Sequence, residues 1–61
     1  MVVHSIVNND IGTKFEIFKD GENNYSYKYY EYFANIGWKF VLSEKNYSKN
    51  CIECEFDIKI L

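Results

Sequence analysis

Proline and arginine are both absent from this chain of 61 residues, and only two cysteines occur in it. Without arginine, the chain lacks the guanidinium group that most often recognises phosphates and guanine bases. Two cysteines are too few for the disulfide framework that stabilises many small secreted domains. The seven basic residues, all lysine, are outnumbered by nine acidic ones. This composition argues against nucleic-acid binding.

Long apolar segments are also missing. No stretch approaches the ~20 residues that a membrane-spanning helix needs. The start of the chain, MVVHSIVNND, lacks the charged region and the apolar run of a signal peptide. We therefore expect no membrane association and no export. Two cysteines without an export signal favour a reducing environment, and we expect a cytoplasmic location.

Aromatic residues are abundant instead: six Tyr, five Phe and one Trp make up 20% of the chain. We expect residues 1–61 to form a single domain, which at this length buries only ~60% of the surface of its unfolded chain. Small domains usually need disulfides, a metal or a second copy of themselves. Since not all the aromatic side chains can be buried, we expect exposed aromatic surface and a homodimer.

Clusters of Asn, Asp, Gly and Lys divide the chain into strand-like runs. These residues occur at 8–12, 20–24, 34–37 and 45–50, and Asn, Asp and Gly tolerate the backbone that tight turns need. The runs between the clusters are Val2–Val7, Thr13–Lys19, Tyr25–Phe33 and Trp38–Ser43. A spacing of about ten residues per strand predicts an antiparallel meander. The expected fold class is therefore mainly β, with four to five strands.

Alternation assigns side chains to the two faces of the predicted sheet. In the second run, Phe15 and Ile17 share one face. In the third run, one face carries Tyr25, Tyr27 and Tyr29, and the other carries Ser26, Lys28, Tyr30 and Tyr32. In the fourth run, the same period of two predicts one face for Trp38, Phe40 and Leu42.

Residues 51–61 fit two interpretations. As a strand, the segment places Ile52, Cys54, Phe56, Ile58 and Ile60 on one face, with a clean period of two. As a helix, it forms one stripe of Cys51, Cys54, Ile58 and Leu61 and a second stripe of Ile52, Phe56 and Ile60. Two apolar sides suit a helix of a small domain less well. We therefore favour the strand and keep the helix as the alternative.

The order of motifs from Lys14 to Asn50 resembles a known family. KFEIFKD is followed by the alternating YSYKY, then by Asn35 and Gly37, then by VLSE and NYSK. This order resembles a single repeat of the YegP-like family of small uncharacterised prokaryotic proteins. The resemblance implies three antiparallel strands followed by a helix, an α+β fold. It also implies that a single repeat pairs with itself, and it implies no catalytic residues. The segment 1–12 and the alternating C-terminal residues depart from the pattern.

The sequence offers little for catalysis or metal binding. Cys51 and Cys54 form a CxxC motif, but zinc needs four ligands and His4 is the only other strong candidate. A redox CxxC normally lies at the start of a helix in a thioredoxin-like fold. We therefore expect both cysteines to be small buried or half-buried apolar side chains. No enzyme activity, metal or cofactor is expected.

The cluster of tyrosines in the third run points to binding. If its second face is exposed, the candidate protein-binding residues are Lys28, Tyr30, Tyr32 and Phe33. Exposed tyrosines are typical of interfaces. We expect a non-catalytic, dimeric protein-binding module, for which a phage or mobile-element inhibitor of a host protein is one hypothesis. The alternatives are a YegP-like housekeeping or stress protein and a binder of single-stranded nucleic acid.

If the cysteines hold no metal, they are dispensable for folding. Replacing Cys51 and Cys54 together by Ser should leave a cooperative unfolding transition in urea, at a cost of ~1–3 kcal/mol if they are buried. A chelator should leave the wild-type transition unchanged. Complete unfolding on chelation would instead reveal a structural metal site.

Overall fold

The computed structural model describes residues 1–60 and shows four antiparallel strands in one open sheet, followed by a short helix. The strands lie side by side in the order of the sequence. The elements are β1 Val2–Asn8, β2 Thr13–Gly21, β3 Asn24–Phe33, β4 Gly37–Tyr47 and α1 Lys49–Phe56. The expected mainly β meander is confirmed with four strands, and it ends in the helix of the alternative interpretation.

Two turns of the sheet are closed by asparagine side chains or by positive φ angles. After β1, the Oδ1 atom of Asn8 accepts hydrogen bonds from the backbone N–H groups of Asp10 at 3.0 Å and Ile11 at 3.3 Å. Gly12 then takes a φ of 71° and donates its N–H to the Asn8 carbonyl at 2.9 Å. Between β2 and β3, Asn23 takes a φ of 52°. Asn and Gly occupy these positions because they tolerate left-handed backbone at the lowest cost.

Strand β4 runs further than the sequence indicated. The cluster at 45–50 predicted a turn, but β4 continues to Tyr47, which pairs with Tyr25. The predicted turn is therefore wrong at its first residues. Asn46 has a φ of 68°, and the register of β4 shifts between Glu44 and Tyr47. An irregularity of this kind adds residues to one strand without ending the pairing.

A second irregularity in β4 lies at Val41. Leu42 pairs with Tyr29 and Phe40 with Tyr30, so Val41 is an extra residue with no partner on β3. One extra residue reverses the faces of all the residues beyond it. Leu42 therefore shares its face with Tyr29, whereas Phe40 shares its face with Tyr30. The prediction that Trp38, Phe40 and Leu42 lie on one face is wrong for Leu42.

The favoured strand over residues 51–61 is also wrong, because the chain forms α1 from Lys49 to Phe56. The helix begins at Ser48, whose Oγ atom accepts a hydrogen bond from the Cys51 N–H at 3.2 Å. It ends at Asp57, which takes the left-handed conformation with a φ of 52°. Leu61, the last residue of the predicted strand, lies outside the described residues. Within residues 1–60, no helix combines the length and apolar character needed to cross a membrane.

The apolar residues that alternate in this segment belong to two different parts of the structure. Ile52 and Phe56, four residues apart, face the sheet from the helix. Ile58 and Ile60 follow the break at Asp57, and the Glu53 Oε2 atom accepts a hydrogen bond from the Ile60 N–H at 2.8 Å. Both parts of the segment pack on the same core. The period of two in the sequence therefore reflects a helix followed by an extended end.

The two cysteines are not part of this core. Cys51 and Cys54 are exposed on α1 and unbonded, so the expectation that they are buried or half-buried is wrong. Their positions relative to Ile52 place them on the side of the helix that faces away from the sheet. Because they are exposed, replacing both by Ser should cost less than the range given above for buried residues.

The core is small and lies towards one end of the sheet. Its buried side chains are Ile17, Tyr25, Ile52 and Ile60, and Phe56 packs edge-on against Phe15 and Tyr27 with ring centroids 4.9 and 5.0 Å apart. The molecule measures 38 × 18 × 16 Å, with a radius of gyration of 12.1 Å. A compact chain of this length has a radius of about 10.5 Å. The sheet therefore extends well beyond the part that the helix covers.

The packing of α1 depends on Ile52, which has no exposed surface. Replacing Ile52 by Ala should lower the free energy of unfolding by about 2–5 kcal/mol, because it leaves a cavity under a helix too short to form alone. Urea unfolding measures this loss. Cys54→Ala, on the exposed side of the same helix, is the control and should change stability by less than ~0.5 kcal/mol. Equal losses in the two variants would contradict the assigned core.

Candidate functional site

The sheet face opposite α1 carries a cluster of four aromatic side chains, which we call the aromatic face: Tyr30, Tyr32, Trp38 and Phe40. The register of β3 and β4 places Tyr30 opposite Phe40 and Tyr32 opposite Trp38. The ring centroids of the first pair are 5.8 Å apart and those of the second 5.4 Å, and both pairs meet edge to face. Pairs with this geometry stabilise each other beyond the area that they bury.

Lys14 of β2 completes the cluster. It lies opposite Tyr30 in the sheet, and its Nζ atom is 4.7 Å from the Tyr30 ring centroid and 5.0 Å from that of Trp38. A lysine ammonium at this distance is attracted by the negative face of an aromatic ring. The cation therefore links β2 to the aromatic pairs of β3 and β4.

Much of the aromatic face is open to solvent. Tyr32 is 52% exposed and Phe40 50% exposed, whereas Tyr30 and Trp38 are half-buried. Six further apolar residues are exposed, of which Phe33 and Leu42 lie on the helix side of the sheet: Val7, Ile11, Phe33, Ile36, Val41 and Leu42. Soluble monomers rarely expose large contiguous apolar patches, and such patches commonly mark interaction sites.

A shallow hollow of about 360 Å³ lies beside the aromatic face, lined by Asn9, Gly12, Tyr32 and Trp38. Its floor depends on a close approach between the β1–β2 turn and β3. The Gly12 carbonyl accepts a hydrogen bond from the Tyr32 N–H at 2.9 Å. A Cβ atom at Gly12 would lie 3.4 Å from the Tyr32 Cβ atom, and the φ of 71° disfavours other residues there.

The four site residues predicted from the sequence do not all lie on the same face of the sheet. Tyr30, Tyr32 and Lys28 share the face opposite the helix, since alternate residues of β3 point the same way. The Lys28 Nζ atom lies 5.2 Å from the Phe18 ring, away from the aromatic pairs. Phe33 points to the helix side of the sheet and is 43% exposed. Only Tyr30 and Tyr32 of the four therefore belong to the aromatic face.

Three contributors to the aromatic face escaped the sequence analysis: Lys14, Trp38 and Phe40. Alternation alone assigned faces within each strand, but it did not say which residues of different strands lie opposite each other. The register was needed to bring Trp38 to Tyr32 and Lys14 to Tyr30. The sequence did carry one relevant signal: aromatic residues alternate in the runs on both sides of the turn at 34–37, which indicates that those runs pair.

Burial and neighbouring acids raise the pKa of three tyrosines of β3. For Tyr30, desolvation raises the pKa first, followed by a hydrogen bond to Glu16 and the charge of that carboxylate. For Tyr29, desolvation again comes first, and its hydroxyl donates a hydrogen bond to the Glu31 Oε2 atom at 3.0 Å. Desolvation also raises the pKa of Tyr27, with a further contribution from Tyr47. These phenols stay protonated at neutral pH and act as hydrogen-bond donors.

Among residues 1–60, the structure assembles no cluster of metal-ligating side chains. No group of three or more His, Cys, Asp or Glu side chains in this part of the chain is arranged to hold a metal ion. His4 is half-buried in β1 opposite Ile17.

Comparisons with family models, with curated proteins and with solved structures found no match to this chain. The resemblance to a YegP-like repeat stays a prediction. The functional proposal therefore depends on the geometry of the chain itself.

The Tyr30–Glu16 contact predicts a pH dependence. Because the ionised phenol is disfavoured in the folded state, the pKa of Tyr30 lies above its ordinary value of 10.0. The resulting stabilisation is present below that pH and is lost as the pH rises through the folded pKa. Glu16→Gln should move the ionisation of Tyr30 to lower pH, measured by the NMR shift of its ring carbon. Glu22→Gln, in the β2–β3 turn, carries the same charge change and should leave Tyr30 unaffected.

Proposed function

We propose that this protein is a non-catalytic protein-binding module and that the aromatic face is its contact surface. The observation that carries the proposal is the pair of edge-to-face contacts, Tyr30–Phe40 and Tyr32–Trp38, on a sheet face that the chain itself leaves uncovered. Tyrosine and tryptophan are enriched among the residues that dominate binding energy at protein interfaces.

The arrangement supports binding because its rings are already held in place. Each ring of the aromatic face is attached to a strand and packs against a ring of the neighbouring strand. Little side-chain freedom is then lost when a partner docks, and this lowers the entropic cost of association. The hollow beside Tyr32 and Trp38 offers a position for one partner side chain near the centre of the contact.

The charges on this face favour a partner without strong net charge. Lys14 is held by the rings of Tyr30 and Trp38, and Glu16 lies directly opposite Lys28. Acidic and basic groups therefore alternate beside the rings, without the continuous basic strip that nucleic-acid binding needs. A protein surface with exposed apolar side chains fits this face better than a polyanion does.

A finer hypothesis concerns the source of the partner. The chain is rich in Asn, Lys, Tyr and Ile and lacks Arg and Pro, a composition that suggests an AT-rich genome. This composition supports an inhibitor of a host protein carried by a phage or mobile element. The composition is the sole support for this finer hypothesis, whereas the aromatic face supports the binding function.

Neighbouring residues on opposite faces provide a matched test. Tyr32 and Phe33 are adjacent aromatic residues with 52% and 43% exposure, but only Tyr32 lies on the aromatic face. A partner captured by the wild type should bind Tyr32→Ala, or the double variant of Tyr30→Ala and Tyr32→Ala, at least ~30-fold more weakly, about 2 kcal/mol. Phe33→Ala should bind within about threefold of the wild type. Calorimetry with the purified partner measures both affinities.

Two outcomes would contradict this proposal. Equal loss of affinity in Tyr32→Ala and Phe33→Ala would show that the aromatic face is not the specific contact. A collapse of affinity in ~1 M salt, where the Debye length is ~3 Å, would assign binding to charged residues such as Lys45 and Lys49. Circular dichroism of each variant confirms that it is folded. A single-stranded oligonucleotide serves as the competing ligand, and its binding through Tyr32 would favour the nucleic-acid alternative.

A further inference from the structure

Strand β4 is a long unpaired edge of the sheet. This strand of eleven residues pairs with β3 on one side, and its other side faces solvent. Outside the β3–β4 ladder, no backbone hydrogen bond in residues 1–60 involves Gly37–Tyr47. At the centre of this edge lie three exposed apolar residues, Phe40, Val41 and Leu42. A long, apolar and unpaired edge is a template for pairing with another strand.

The extra residue at Val41 sets the order of side chains along this edge. Lys39 lies opposite Glu31 and Glu44 opposite Tyr27, so both charged residues share the helix side of the sheet. The side of the aromatic face carries Trp38, Phe40, Ser43 and Lys45. In a regular strand, residues 39 and 44 would point to opposite faces, because they are separated by an odd number.

We propose that two copies of this chain pair through β4 in antiparallel orientation, with Leu42 on the two-fold axis. Counting outward from Leu42 and passing over Val41, Lys39 then meets Glu44 of the second copy on the helix side. On the other side, Phe40 meets Ser43 and Trp38 meets Lys45. The symmetry repeats each contact, which gives two ion pairs and two cation–π pairs around an apolar centre.

Charge complementarity selects this register over its neighbours. An axis on Phe40 would place Lys39 opposite Leu42, and an axis on Ser43 would place Leu42 opposite Glu44. Without the irregularity at Val41, an axis on Leu42 would bring Lys39 against Lys45 and Phe40 against Glu44. Only the proposed register pairs Lys39 with an acid, so the same lysine that opposes misaligned pairing stabilises the aligned one.

The resulting dimer is one continuous sheet of eight strands, four from each copy. A two-fold axis perpendicular to the sheet keeps both helices on one side and both aromatic faces on the other. The dimer therefore doubles the proposed contact surface in a single plane. The two proposals remain separable, because Lys39 and Glu44 lie on the helix side and Tyr32 lies on the other.

A cysteine on the axis tests the register. In a Cys51→Ser, Cys54→Ser background, Leu42→Cys lies opposite its own copy, where Cα atoms are about 4.5–5.5 Å apart and within disulfide reach. Mild oxidation should cross-link most of this variant into dimers on a non-reducing gel. Ser43→Cys, which lies opposite Phe40, is the matched control and should remain mostly uncross-linked. Equal cross-linking of the two variants, or none of Leu42→Cys, would overturn the register.

Charge reversal tests the interface in solution. Lys39→Glu and Glu44→Lys each replace two attractions by two repulsions, and each should raise the dimer dissociation constant about tenfold in sedimentation equilibrium. The double variant restores the pairs and should return to within about threefold of the wild type. Lys59→Glu, outside β4, is the control for net charge. A wild type that stays monomeric, or a double variant no better than the singles, would overturn the proposal.

The same measurements separate this proposal from the binding function. Tyr32→Ala should dimerise as the wild type does, since Tyr32 lies on β3 and makes no contact across the proposed pairing of the β4 strands. If Tyr32→Ala lost dimerisation as well as partner affinity, the aromatic face itself would be the contact between copies, and pairing through β4 would be contradicted.

Discussion

The packing of Ile52 and Ile60 against Ile17 and Tyr25 is the contact on which the rest of this structure depends. These four side chains are the buried ones among residues 1–60, and Ile17 and Ile52 have no exposed surface. They lie towards the end of the sheet where β2 turns into β3, and they hold an eight-residue helix that could not persist by itself. Because so short a helix covers only part of one face, the other face and the far end of the sheet remain in contact with water.

Because α1 covers part of one face and none of the other, the two faces of the sheet differ chemically. On the helix side, the exposed residues near the edge include Lys39, Glu44 and Leu42. On the other side, the rings of Tyr32 and Phe40 stand beside the half-buried Lys14. Burying this apolar surface against a partner costs little entropy, because its rings are already paired and fixed on strands. The two proposals follow from these surfaces, one from the side chains of a face and the other from the backbone of an edge.

The sequence predicted the parts of the fold that follow a regular period. The faces of β2 and β3 agree with alternation, because both strands are continuous where Phe15, Ile17 and the tyrosines lie. The face of Leu42 was missed because one extra residue at Val41 reverses the alternation, and no composition signal marks it. The helix was kept only as the alternative, because residues of two different elements together show a period of two. The capping by Ser48 and the left-handed Asp57 favour the helix.

The sequence predicted which type of residue forms the candidate site, but it did not predict which residues come together there. The density of aromatic residues indicated that some would be exposed, and Tyr30 and Tyr32 lie where alternation placed them. Phe33, their neighbour in the sequence, belongs to the other side of the sheet. The partners of the two tyrosines, Phe40 and Trp38, depend on a register that is set by the turn ending at Gly37, which takes a φ of 80°. A single sequence does not encode that register as a periodic signal.

The turn between β2 and β3, where Asn23 takes its left-handed conformation, also contacts the start of α1. Asn23, in the turn between β2 and β3, accepts a hydrogen bond at 2.8 Å from the backbone N–H of Lys49, the first residue of α1. An N–H group at the start of the helix is therefore bonded to a side chain from a turn 26 residues earlier in the chain. The hairpin of β2 and β3 closes over a short loop, whereas α1 needs that hairpin and the whole of β4 to be in place. We therefore expect the helix to form last during folding and to be lost first on unfolding, and a chain that has lost it would expose both faces of its sheet.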